Sequence, residues 1–156
     1  MRKLFARESK DFLQKYFKKE LFFTDVEGKT KDEVLKNLCR KVEQEKGLPE
    51  TFTASVLKRE ELTPTDYGNL VALPHPERAF QERAFVAVAV LKEPIFWFRQ
   101  KVQVVFLTAI GREEDENLQQ FYEATTDLIL RPADVQNLIR HPDYDRLIQL
   151  LRRAEE

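Results

Sequence analysis

A chain of 156 residues suits one domain that buries a sheet between helices, and 26 Lys plus Arg against 27 Asp plus Glu leave a net charge of −1. That balance offers no general attraction to nucleic acid or anionic lipid, and no apolar run reaches the roughly 18 residues that span a bilayer. A single cysteine, Cys39, allows neither an internal disulfide nor a zinc-ligand spacing, and the opening residues lack the long apolar stretch of a secretory signal, so a cytoplasmic location is expected.

Residues 1–20 read as a linker or leading helix, and the domain proper is expected over 21–156. Phe5, Phe12, Leu13, Tyr16 and Phe17 can share one helical face, and seven of the first 19 residues are Lys or Arg. A helix lying on a membrane surface is the alternative there. Glu20 to Asp25 predicts a short strand closed by a turn at Glu27-Gly28. Thr30 with Glu33 is a capping-box pair, so a helix should follow, with Val34, Leu35, Leu38, Cys39 and Val42 inward and Gly47 at its end. Pro49 suits the first turn of a second helix running to about Glu60.

Thr63 to Asn69 is turn chemistry leading into the strand-like Leu70–Leu73. Ala84–Leu91 and Val102–Ile110 are near-continuous apolar runs, the pattern of strands covered on both faces. Lys92 to Phe98 reads as a connecting segment, in which Phe96, Trp97 and Phe98 form either a partner patch or core anchors. The last third predicts a helix with Leu118, Phe121, Tyr122, Thr125, Leu128 and Ile129 on one face. A short helix from Pro132 to Ile139 and a final one after Pro142 should follow. The expected architecture is α/β, a mixed β-sheet flanked by helices.

The chain has two histidines. His141, at a helix junction, reads as a surface or capping residue. His75 follows an apolar strand between Pro74 and Pro76, which restrict the backbone and donate no hydrogen bonds. Functional groups gather where strands of α/β sheets end, although a structural histidine fits the same position. Arg59 falls at i+7 from Phe52 and shares the inward side of its helix with Ser55. It needs an anion, either a carboxylate such as Glu60 or Glu61, or a phosphate, for which a guanidinium is well shaped. The acidic run after Arg112 reads as a solvated helix start. Neither a Gly-rich phosphate loop nor a nucleophile elbow occurs, and neither cofactor nor metal is expected.

The segment from Leu57 to His75 (Leu-Lys-Arg-Glu-Glu-Leu-Thr-Pro-Thr-Asp-Tyr-Gly-Asn-Leu-Val-Ala-Leu-Pro-His) resembles the active-site segment of fructose/mannitol-type EIIA domains of the bacterial sugar phosphotransferase system. The likeness extends from about Leu21 to Leu151, though beyond residues 57–75 it rests mainly on the order of elements. It implies that His75 receives a phosphoryl group on Nε2 from the phosphocarrier HPr, or exchanges it with an EIIB domain. It also implies that Arg59 stabilises the added charge. Two departures stand out. Pro76 replaces the glycine usual in transport-type members, and Asn117 aligns with a second histidine, keeping a hydrogen-bond donor without the charge. Pro-His-Pro and the stretch from Lys92 to Phe98 resemble the EIIA-like C-terminal domains of antiterminator/activator-type transcriptional regulators. That likeness implies upstream regulatory domains on the same polypeptide, with no direct contact to nucleic acid by this one. A stand-alone transport EIIA and an inert binding module on the same fold are the alternatives.

Overall fold

The computed structural model describes residues 13–153. Its elements run β1 (Phe17–Phe23), α1 (Lys31–Lys46), α2 (Thr51–Leu62), β2 (Asp66–Gly68), β3 (Val71–Ala72), β4 (Phe85–Phe96), β5 (Lys101–Ala109), α3 (Leu118–Ile129), α4 (Pro132–Arg140) and α5 (Tyr144–Arg153). The strands form one five-stranded mixed sheet in the order β1-β4-β5-β3-β2. β4 and β5 pair antiparallel at its centre, while β1 runs parallel to β4 and β3 parallel to β5.

Side-chain alternation along β4 explains why its sequence is apolar throughout. Val86, Val88 and Val90 enter a cluster with Phe121, Leu128, Leu138, Leu147 and Leu151 of α3, α4 and α5. Phe85, Ala87, Ala89 and Leu91 enter a second cluster with Leu35, Leu38, Val42, Phe52 and Val56 of α1 and α2. Each successive residue thus faces a different helical layer, and every position must be apolar. Fully burying one such Val, Leu or Phe side chain contributes about 1.5–3 kcal/mol, so the two layers hold the sheet from both sides.

Local signals place the helices. Thr30 caps α1, its hydroxyl accepting the Glu33 N–H at 3.2 Å, while the Glu33 carboxyl accepts the Lys29 N–H at 2.8 Å. The reciprocal half of the capping box therefore falls one residue earlier than the usual pattern. Gly47 ends α1 in the left-handed region at φ 65°, returning its N–H to the Glu43 carbonyl.

Several boundaries differ from the sequence expectation. β1 starts at Phe17, three residues before the expected strand, and residues 13–16 are helical. Leu13, Tyr16 and Phe17 are all at most 1% exposed and join the α3–α5 cluster. Phe5 and Phe12 of the expected helical face lie outside the described residues. Asp66–Gly68, read as turn, is an edge strand hairpinned to β3 through Asn69 and Leu70, both at positive φ (53° and 69°). The segment Lys92–Phe96, read as a connection, continues β4 instead: its pairing with β5 slips between Val90 and Ile95 and resumes at Ile95↔Val102. Pro94 sits within that slip, where a missing N–H costs no ladder bond.

Candidate functional site

His75 stands where two parallel strands end together. β3 and β5 pair in register at Val71↔Val104 and Ala72↔Val105. Beyond β3, the Pro74 carbonyl accepts the Thr108 N–H at 3.0 Å, carrying the pairing to the very edge of the sheet. The His75 ring then emerges half-buried between two buried prolines. Its Nδ1 lies 3.3 Å from the Leu73 carbonyl oxygen. A carbonyl only accepts, so this contact calls for a proton on Nδ1 and leaves the Nε2 lone pair for chemistry.

The segment after His75 is latched onto α2. The Glu77 N–H donates to Ser55 Oγ at 2.7 Å, and Lys58 Nζ reaches the Glu77 carboxyl at 4.0 Å. Arg59 follows Ser55 by one helical turn, where i and i+4 side chains neighbour each other. It is half-buried, and its Nη1 donates to the Thr63 carbonyl at 3.1 Å. Among the described residues it forms no ion pair with Glu60 or Glu61. Adjacent helix positions point about 100° apart, which is why the carboxylate reading of Arg59 fails for Glu60. Among the described residues, the Thr63 carbonyl takes one of the guanidinium's five donors and the others have no hydrogen-bond partner.

Asn117 belongs to a different element. It is the N-cap residue of α3 through its carbonyl, which accepts the Phe121 N–H at 3.0 Å, and its amide side chain makes no capping bond. The Asn117 N–H donates to Asp115 Oδ1 at 2.9 Å, and Asp115 also accepts the Tyr16 hydroxyl. Burial pushes the Asp115 carboxyl upward, but the Tyr16 hydroxyl, the Asn117 N–H and the Lys15 charge outweigh it and hold the group below the usual carboxylate range. Among the described residues no hydrogen bond or ion pair joins Asn117 or Arg59 to His75. What the fold supplies at the His75 edge is α2, through Ser55 and Lys58, and the end of β5, through Thr108.

Other expectations resolve plainly. His141 is exposed and serves as the C-cap of α4, its N–H returning to the Asn137 carbonyl at 2.9 Å. Of the aromatic trio, Trp97 is a core anchor at 4% exposure while Phe96 and Phe98 are 64% and 48% exposed. The core reading thus holds for Trp97, and Phe96 and Phe98 stand at the surface.

Glu60 is the residue that sequence reasoning missed. It is 1% exposed, and its carboxyl accepts the Thr65 N–H at 2.5 Å, the Thr65 hydroxyl at 2.7 Å and the Trp97 indole N–H at 2.9 Å. A signal existed, because Phe52, Val56 and Glu60 fall at i, i+4 and i+8 on one helical face. Clefts elsewhere do not involve His75: one of about 590 Å³ lies between α1 and α2, and one of about 1040 Å³ lies beside residues 25–29 and 91–96. No helix among the described residues is long and apolar enough to cross a membrane.

Comparison with known proteins places this geometry. Residues 15–154 match the family model described as "Phosphoenolpyruvate-dependent sugar phosphotransferase system, EIIA 2". The "Probable licABCH operon regulator" of Bacillus subtilis is 36% identical over 90% of this chain, and the "Transcriptional regulator ManR" of the same organism is 27% identical over 77%. The chain spans 22% and 18% of the lengths of those two proteins. Among solved structures, the nitrogen regulatory protein IIA-Ntr from Neisseria meningitidis superposes with a TM-score of 0.73 at 18% identity, covering 89% of this chain and 98% of that one. The complex of enzyme IIAMTL and phosphorylated enzyme IIBMTL from Escherichia coli gives 0.70 at 18% identity, covering 86% and 97%. At those identities the structural likeness speaks for the fold.

Proposed function

Because this chain belongs to the EIIA 2 family of the phosphoenolpyruvate-dependent sugar phosphotransferase system, we propose that it carries a phosphoryl group on Nε2 of His75. The observation that carries the reading is the His75 ring itself, fixed at a strand terminus with Nδ1 turned to the Leu73 carbonyl. In transfer from HPr, the Nε2 lone pair attacks the phosphorus of a phosphohistidine on that donor. The new N–P bond forms as the old one breaks, and the bonding pair returns to the donor ring. His75 keeps its Nδ1 proton throughout, so the step needs positioning and positive charge rather than an acid or base.

Arg59 would supply that charge, its guanidinium donating to the phosphoryl oxygens. Asn117 would add one neutral hydrogen bond from its amide. The donor would be the phosphocarrier HPr or an EIIB domain, and the neighbouring EIIA–EIIB complex supports the second. The relatives' printed names, an operon regulator and a transcriptional regulator, support a regulatory role within a longer polypeptide. In that role the phosphoryl state of this domain would report sugar supply to domains upstream, joined through the stretch before Leu13. Pro76, which removes a backbone donor beside the ring, favours this role over rapid transport flux.

Incubating the chain with phosphoenolpyruvate, the kinase of HPr and HPr tests the proposal. The expected result is a mass gain of one phosphoryl group that is lost in acid. An unchanged mass with both HPr and a charged EIIB as donors would leave an inert binding module on this fold.

A further inference from the structure

Thr65 lies at the meeting point of the bonds that orient the site. Its N–H and hydroxyl both donate to the Glu60 carboxyl, at 2.5 and 2.7 Å. Its own carbonyl accepts the Leu73 N–H at 3.1 Å. Leu73 in turn presents the carbonyl that His75 Nδ1 faces at 3.3 Å. Two residues before Thr65, the Thr63 carbonyl accepts Arg59 Nη1 at 3.1 Å. The same short segment thus accepts from the guanidinium directly and reaches the acceptor ring through Leu73, and one buried side chain holds it. That side chain is anchored from behind by the indole of Trp97, 2.9 Å away on the far side of the sequence.

We propose that Glu60 is the positioning residue of the phosphoryl site, setting the His75 ring and the Arg59 guanidinium together through Thr65; the inference rests on the carrier reading above. Burying a carboxyl group is costly unless donors satisfy it. Here three donors converge, none of them from α2 itself: two come from Thr65, the residue that bonds Leu73, and one from Trp97 after β4. A carboxyl that only filled volume would need no such convergence, and an apolar side chain would serve as well.

The chemistry separates positioning from filling. Glu60→Leu keeps the bulk and removes every acceptor, freeing Thr65. Glu60→Gln keeps the acceptor oxygen for the two N–H donors, and its amide can donate to the Thr65 hydroxyl, which accepts as readily as it donates. The bonds therefore survive in Glu60→Gln and fail in Glu60→Leu. Thr65→Val removes only the hydroxyl bond and leaves the backbone one.

The full chain and these three variants, each checked for folding by thermal melting, are compared in two measurements. Nitrogen-15 NMR of the His75 ring reads the tautomer directly and needs no phosphoryl transfer. Transfer rates are taken with HPr charged from phosphoenolpyruvate and, separately, with phosphoramidate, a small donor that needs no docking surface. The expected result is a His75 ring in Glu60→Leu shifted toward the free-imidazole tautomer mixture, with transfer from both donors slowed about tenfold. Glu60→Gln should stay within about threefold of the parent, and Thr65→Val should fall between. A folded Glu60→Leu with the parent's ring spectrum overturns the inference. Should that variant not fold, a parental ring spectrum in Thr65→Val does so instead. A parent chain that takes no phosphoryl from any donor refutes the carrier reading, and the ring spectra still decide on Glu60.

Discussion

His75 and Arg59 are held by unlike means, and their substitutions should differ accordingly. In the proposed transfer the ring nitrogen forms the bond to phosphorus, so His75→Gln should abolish labelling from every donor, measured by intact mass. In the proposed site Arg59 only balances charge that the phosphoryl would bring, about −1.5 to −2 near neutral pH. Charge-assisted hydrogen bonds contribute about 1.5–3 kcal/mol, so Arg59→Ala should slow transfer by roughly ten- to a hundredfold while the final mass gain is still reached. A time course of the mass shift separates the two behaviours; equal final labelling of His75→Gln and parent would dismiss His75 as acceptor. Arg59→Lys should lie between, because an ammonium offers no planar fork. The positions of both residues were legible in the sequence, His75 after an apolar strand and Arg59 on the inward side of its helix, whereas the roles proposed for them come from the family resemblance. Glu60 was harder: its spacing marked an inward position, but its partner Trp97 lies 37 residues further along the chain. No local pattern announces such a pairing.

At the scale of elements, the helices were readable because their caps are local chemistry, as Thr30 and Gly47 show. The strands were less so. Residues Asp66–Gly68 carry turn composition and pair along only one short edge, and Lys92–Phe96 looks like a break because its slip around Pro94 exposes charged side chains. Cross-strand register decided both, and register is set by residues distant in sequence. The loop leaving β5 has its own constraint. A Cβ on Gly111 would sit 2.2 Å from the Glu82 carbonyl oxygen, where the Arg112 and Glu113 N–H groups donate to the Gln81 and Glu82 carbonyls, each at 3.0 Å. Gly111→Ala should therefore destabilise the fold by about 1–3 kcal/mol, seen as a lowered thermal midpoint. An unchanged midpoint would show that this loop yields without cost.

Over the described molecule, a contact of Tyr16 ties the residues before β1 to the loop that precedes α3. Tyr16 is buried against Phe121 and bonds Asp115, the residue that also fixes the Asn117 N–H. Burial, then the Asp115 carboxylate, push the Tyr16 phenol up, whereas the Asp115 carboxyl is held down. A depressed carboxyl stabilises the fold above its ordinary value near 3.9 and loses that contribution as pH falls through its lower folded value. A raised phenol stabilises the fold below its ordinary value near 10 and loses that as pH rises toward its folded value. The pair's contribution should thus be flat from about pH 5 to 9 and fall away on either side. Tyr16→Phe should flatten the acid-side decline of the thermal midpoint; an identical acid-side curve would show that the contact carries no stability. The proposed transfer depends on which atom takes the phosphoryl group. Phosphorus-31 and nitrogen-15 NMR of the labelled chain read that atom directly. The expected result is an N–P bond at Nε2 of His75 with Nδ1 still protonated; phosphorus bound at Nδ1, or on any other residue, would contradict the proposal.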